Sequence, residues 1–154
     1  VNIVVFMDGV LRGDHGQPLP TGCALYRTFI DTHRLLLVGN DVEADTLWLK
    51  AEGMRGHAHL AAIDPLDAEH DVIHRTLTQL RTRGRIDLVI AANPEQATEA
   101  FTLGFETMVH FAPKFARPAW RPDKDNAPKA WRSLMEELQA ERMAAASVAP
   151  LKDE

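Results

Sequence analysis

An aspartate closes the first apolar run of this chain, where Ile3–Val4–Val5–Phe6–Met7 leads into Asp8–Gly9–Val10–Leu11. A carboxylate at the end of a buried run can serve as a general acid or base, or as one ligand of a cation. It can equally tie a turn through its oxygens, with Gly9 supplying backbone freedom; no chemical partner is specified nearby, so turn-tying is the favoured reading. Asn40, Asp41 and Asp64 follow later apolar runs, and Asp14 and His15 lie in the loop after Leu11. Were these groups to converge with Asp8, they would form a catalytic pocket.

Other reactive types are less pointed. His70 and His74 stand four apart on one helical face, with His57 and His59 nearby in sequence, but no third metal ligand is specified. They read as surface histidines, and no metal site is assigned. Cys23 falls in a helical stretch without a base partner and reads as a small buried residue. Lys114 to Arg132 is the one locally basic stretch, with Lys114, Arg117, Arg121, Lys124, Lys129 and Arg132 around Trp120 and Trp131. It could take up a phosphate, a nucleic-acid strand or an acidic protein surface. It could also wrap the domain, with tryptophans packed and charges solvated. Lys114, Arg117, Trp120 and Arg121 are its binding candidates.

The elements that must position these residues follow from hydrophobic patterning. Continuous apolar runs at 3–7, Leu35–Val38, His59–Ile63, Leu88–Ala92 and Thr107–Phe111 predict strands buried on both faces. Between them, helical spacing is predicted at Thr21–Thr32, from Asn40 or Asp41 to about Gly53, over Pro65–Arg83, and from Asn93–Pro94 to about Leu103. Pro128 opens a last helix carrying Trp131, Leu134, Met135 and Leu138. Strands alternating with helices imply an α/β fold, a three-layer, doubly wound, Rossmann-like arrangement of a five-stranded parallel sheet. Ligands of such sheets bind beyond the carboxyl ends of the strands. That directs attention to Asp8, Gly39–Asn40, Asp64 and Ala91–Asn93.

Bulk properties narrow the classes. The 154 residues fit one domain, carry a formal net charge of −5 and include one cysteine. An acidic balance disfavours a dedicated nucleic-acid binder, and a single cysteine excludes an internal disulfide. The opening apolar run is too short to span a bilayer and lacks a signal peptide's flanks. A cytoplasmic protein without membrane contact is expected. The expected organisation is a core over 1–112, a C-terminal loop and helix over 113–146 packed on it, and a frayed tail over 147–154. The last helix could instead support oligomerisation, which the sequence leaves open.

The run Val4–Val5–Phe6–Met7–Asp8–Gly9–Val10–Leu11 resembles the first motif of the haloacid dehalogenase (HAD) superfamily, an apolar strand followed by Asp-x-Asp-Gly-Thr/Val-Leu. Leu35–Asn40 is similar to its second-motif strand and Asp87–Pro94 to its fourth, with Ala97–Phe105 as the helix and glycine that follow. The resemblance covers about residues 1–112 by pattern and spacing. Phe111–Ala112–Pro113 and Arg117–Pro118–Ala119–Trp120–Arg121–Pro122 further resemble segments of compact HAD-like proteins encoded by actinobacterial phages.

In that superfamily the first aspartate attacks phosphorus and the second is the general acid and base. The resemblance places Phe6 at the nucleophile position and Asp8 at the second. Gly39 stands where a Ser or Thr binds phosphate, with Asn40 after it, and Ala91, Ala92 and Asn93 stand where acids hold Mg²⁺. No lysine lies between Lys50 and Lys114 to offset charge. No cap domain is inserted between Asp8 and Gly39. The resemblance therefore implies a non-catalytic, HAD-like pseudo-phosphatase without a cofactor, with Asp8 vestigial, that acts by binding a host or phage protein partner. The alternative is a Mg²⁺-dependent phosphohydrolase with displaced catalytic groups.

Overall fold

In the computed structural model, residues 1–63, 71–110 and 131–148 are described. The order of elements is β1 (Asn2–Phe6), α1 (Pro20–Phe29), β2 (Arg34–Gly39), α2 (Val42–Ala51), β3 (His59–Ala62), α3 (Val72–Arg81), β4 (Leu88–Ala91), α4 (Pro94–Thr102), β5 (Thr107–Val109) and α5 (Trp131–Val148). The five strands form one sheet in the order β3-β2-β1-β4-β5. Every pairing is parallel, with Phe6 opposite Val38 and Val5 opposite both Leu37 and Ile90. β1 is the central strand. Chain connections leave it toward β2 and return beside it at β4, so the topological switch lies at the ends of β1 and β4.

Strand alternation explains the three layers. Ile3, Val5 and Met7 of the first run, with Leu35 and Leu37, face one side. They pack with Cys23 and Tyr26 of α1, Leu49 of α2 and Leu138 of α5. Val4 and Phe6, with Leu36 and Val38, face the other side, against Ile73, Leu77 and Leu80 of α3 and Ala100 of α4. Because helices cover both faces, both parities of β1, β2 and β4 are apolar, hence the continuous runs rather than alternation, whereas the edge strands β3 and β5, expected to be buried on both faces, are only partly buried, with Met108 exposed. No cap domain is present among the described residues.

Several boundaries differ from the sequence reading. α1 ends at Phe29 rather than Thr32, because the His33 N–H turns back to the Phe29 carbonyl and the chain re-enters the sheet at Arg34. The helix expected over Pro65–Arg83 is described from Val72 to Arg81, with 64–70 outside the described residues. β5 spans Thr107–Val109, and Phe111 lies outside them. α5 continues to Val148, beyond the boundary placed at 146, through Ala144–Ala145–Ala146, whose helix propensity is the highest available.

α5 is tied to the domain from two directions. Leu138 is buried in the core, and Arg142 donates to Glu95 of α4 at 2.7 Å. Packing on the parent domain thus accounts for Leu138. Leu138→Ala should cost about 2–5 kcal/mol, the usual range for such a truncation. A urea melt that moved by less than a quarter of this would show that α5 does not complete the core.

A second expectation concerns pH. Tyr26 of α1 bonds His57 Nδ1 through its hydroxyl at 3.0 Å, under the β3 edge. Burial pushes His57 below the ordinary histidine value, and burial with Arg83 and Arg34 does the same to His59. The unfolded chain then binds protons more readily than the folded one. This contribution is complete above about pH 6.5, the unperturbed value, and is lost as pH falls through the lower folded value. The urea midpoint should fall with acidification over that window, and His57→Gln should flatten the fall.

Candidate functional site

The carboxyl end of the sheet is organised by a turn and an ion pair. After β1 the chain folds back on itself: the N–H groups of Leu11 and Arg12 donate to the Met7 carbonyl at 2.8 and 3.0 Å, and Gly9 donates to the Arg12 carbonyl at 2.8 Å. Gly9 adopts φ +91°, a region that side chains disfavour. This compact turn brings the Arg12 side chain over Asp8, with Nε 2.7 Å from Asp8 Oδ1.

Arg12 also reaches a second carboxylate. Its Nη1 lies 2.7 Å from Oδ1 of Asp45, in the first turn of α2, whose side chain is only 2% exposed. The other Asp45 oxygen accepts the Asn40 N–H at 2.8 Å and the Asp41 N–H at 3.0 Å. Asp8 Oδ2 accepts from the Asn40 side-chain amide. Both oxygens of both carboxylates are therefore engaged. Burial alone would lower the Arg12 value, but the Asp8 and Asp45 carboxylates outweigh it and hold the guanidinium above its ordinary range. Trp48 lies against it, 5.4 Å from ring centre to guanidinium carbon, and its indole N–H donates to the Gly16 carbonyl at 2.7 Å. The loop after Leu11 is thereby pinned across the pair.

Gly39 has a steric reason. A Cβ there would sit 2.0 Å from Asp45 Oδ2 and 2.8 Å from its carboxyl carbon. The end of β2 has no side chain because the buried carboxylate of the next helix occupies that space.

The remaining residues singled out by sequence divide clearly. Phe6 is 3% exposed and packs in the α3/α4 face of the core. Ala91 and Ala92 are buried, and Asn93 caps α4 by accepting the Gln96 N–H at 3.0 Å. Asp41 caps α2, accepting from the Glu43 and Ala44 N–H groups. Asn40 does join Asp8; Asp14 and His15 are exposed on the loop. Asp64, His70, Lys114, Arg117, Trp120 and Arg121 lie outside the described residues. Cys23 is buried, and burial pushes its thiol up. His74 pairs with Glu99 at 3.6 Å. Among the described residues no three His, Cys, Asp or Glu side chains gather as a metal-holding group, and no helix is long and apolar enough to cross a membrane.

Four residues at this edge were missed by sequence reasoning. Arg12 and Asp45 form the pair just described. Thr21 and His110 meet at 2.8 Å although they are 89 positions apart. Only Arg12 carried a usable signal, its spacing of four from Asp8.

Comparison with protein-family models, with curated proteins and with solved structures finds no match.

If Asp45 dictates the glycine, Gly39→Ala should destabilise the protein by about 1–3 kcal/mol through overpacking. In an Asp45→Ala background the same substitution should cost measurably less, because the opposing oxygen is gone. Additive losses in a double-mutant cycle by chemical denaturation would refute the steric explanation.

Proposed function

We propose that this chain is a HAD-like scaffold that has lost the superfamily's phosphoryl-transfer chemistry and acts by binding a partner protein. One observation carries the reading: Asp8, the sole clear remnant of the catalytic set, has both oxygens committed to Arg12 and Asn40. A general acid must be able to exchange its proton with the reacting group, and a metal ligand must turn an oxygen toward the ion. Asp8 is instead used to hold a turn.

The donor set does not fit Mg²⁺, which that superfamily would imply. The cationic place between the two carboxylates is taken by a guanidinium, and Asp45 spends its second oxygen on two backbone N–H groups. Ala91 and Ala92 offer no side-chain oxygen, and the Asn93 oxygen is used in capping. Phe6 supports the same reading, since its ring is part of the hydrophobic core. Restoring an aspartate there would bury a charge without a partner.

The binding role itself rests on the sequence. The basic segment with Lys114, Arg117, Trp120 and Arg121 offers charge and aromatic anchors for an acidic protein surface. The phage-type resemblance of the same stretch makes a host or phage protein the expected partner.

Purified protein should show no Mg²⁺-dependent hydrolysis of p-nitrophenyl phosphate above a no-protein control, and Asp8→Asn should change nothing in that assay. Phe6→Asp should lower the melting temperature without creating activity. Turnover that needs Mg²⁺ and disappears with Asp8→Asn would overturn the proposal in favour of a phosphohydrolase with displaced groups.

A further inference from the structure

Beside the ion pair lies a second constellation that neither the motif resemblance nor the pairing explains. His110, immediately after β5, is fixed by three bonds. Its backbone N–H donates to the Ala91 carbonyl at 2.8 Å, its Nδ1 lies 3.1 Å from the Gly9 carbonyl oxygen, and its Nε2 lies 2.8 Å from Thr21 Oγ1. A carbonyl oxygen can only accept, so Nδ1 carries the proton of the neutral ring. Nε2 then presents its lone pair, and the Thr21 hydroxyl donates to it. This is the arrangement of a nucleophile, a base and a group that orients the base.

The surroundings of Thr21 suit one class of reaction. Thr21 is exposed, in the first turn of α1. Leu19 caps that helix without a side-chain bond, and the first helical residue is Pro20. The earliest backbone N–H with an acceptor in this turn is that of Cys23. The N–H of exposed Thr21 has none among the described residues and favours a developing negative charge, whereas Gly22 is buried against the Val10 carbonyl. Two carboxylates and one guanidinium leave the adjoining Asp8 cluster with a net negative charge. That disfavours a phosphate dianion and is compatible with a neutral substrate.

We propose that Thr21 and His110 form a nucleophile–base pair that cleaves small neutral carboxylic esters. Thr21 Oγ1 bonds to the ester carbonyl carbon while its proton passes to His110 Nε2. Collapse of the tetrahedral intermediate breaks the ester C–O bond, and the leaving oxygen takes the proton from Nε2. Water then attacks the acyl-threonine by the same route, releasing the carboxylic acid and regenerating the hydroxyl. Gly9 is a positioning residue through its carbonyl. The pair is independent of the phosphoryl chemistry discussed above, so it stands or falls apart from the HAD-like reading.

The test uses the whole chain and p-nitrophenyl acetate. Release of p-nitrophenolate should accompany acetylation at Thr21, located by peptide mapping after an acid quench. Thr21→Val should abolish that adduct, and His110→Gln should slow its formation by about a hundredfold, the lower range for loss of a general base. Thr21→Ser should keep both adduct and release, which guards against a folding defect in the valine variant. Absence of acetyl-Thr21 in the wild type, acetylation confined to other residues, or release unchanged in a folded Thr21→Val protein would overturn the proposal and leave the contact as a structural tie between α1 and β5.

Discussion

The buried carboxylate of Asp45 is the constraint on which the carboxyl edge of this sheet depends. A charge that is 2% exposed costs several kcal/mol unless its lone pairs are filled. The fold fills them from three places: the Arg12 guanidinium and the backbone N–H groups of Asn40 and Asp41. Each has a consequence. Arg12 must come from a tight turn after β1. The chain after β2 must run close enough to donate two N–H groups. Gly39 must lack a side chain. Removing Arg12 would leave the buried Asp45 charge with only two backbone N–H donors, whereas Arg12 without Asp45 would keep Asp8.

Much of the fold was legible in the sequence, because burial on both faces leaves a direct trace. Runs such as Leu35–Val38 admit few readings other than an interior strand, and Asn93–Pro94 states a helix start in two residues. Boundaries were less legible, since the end of α1 is set by where β2 must begin. The site was legible only in part. Asp8 and Asn40 stand beside strand ends and do meet. Asp45 looked like an ordinary acid in a helix's first turn, where the macrodipole favours it, and nothing local marks it as buried. Thr21 and His110 lie 89 positions apart in the chain, so only the tertiary fold joins them.

Phe6 and Gly39 show how a motif comparison and a packing account can address the same residue differently. By resemblance each is a lost functional group. By structure each has a positive reason to be what it is. Phe6 fills the α3/α4 face of the core, and Gly39 makes room for a carboxylate. These two accounts are compatible if the core and the ion pair came to use space that a reactive site would need. A phenylalanine packed against α3 cannot be exchanged for a charged nucleophile without repacking that face.

The turn from Met7 to Arg12 then joins the two arrangements at this edge. The N–H groups of Gly9, Val10, Leu11 and Arg12 are consumed internally, on the Met7 and Arg12 carbonyls. From that rigid loop the Asp8 side chain points into the ion pair, while the Gly9 carbonyl points to His110. The imidazole orientation is therefore inherited from the same turn that the Arg12 bridge stabilises. Asp8, in the ion pair, and Gly9, on the histidine, are consecutive residues of this one turn. The Gly9 carbonyl, presented by that turn, is what sets the direction of the neighbouring imidazole.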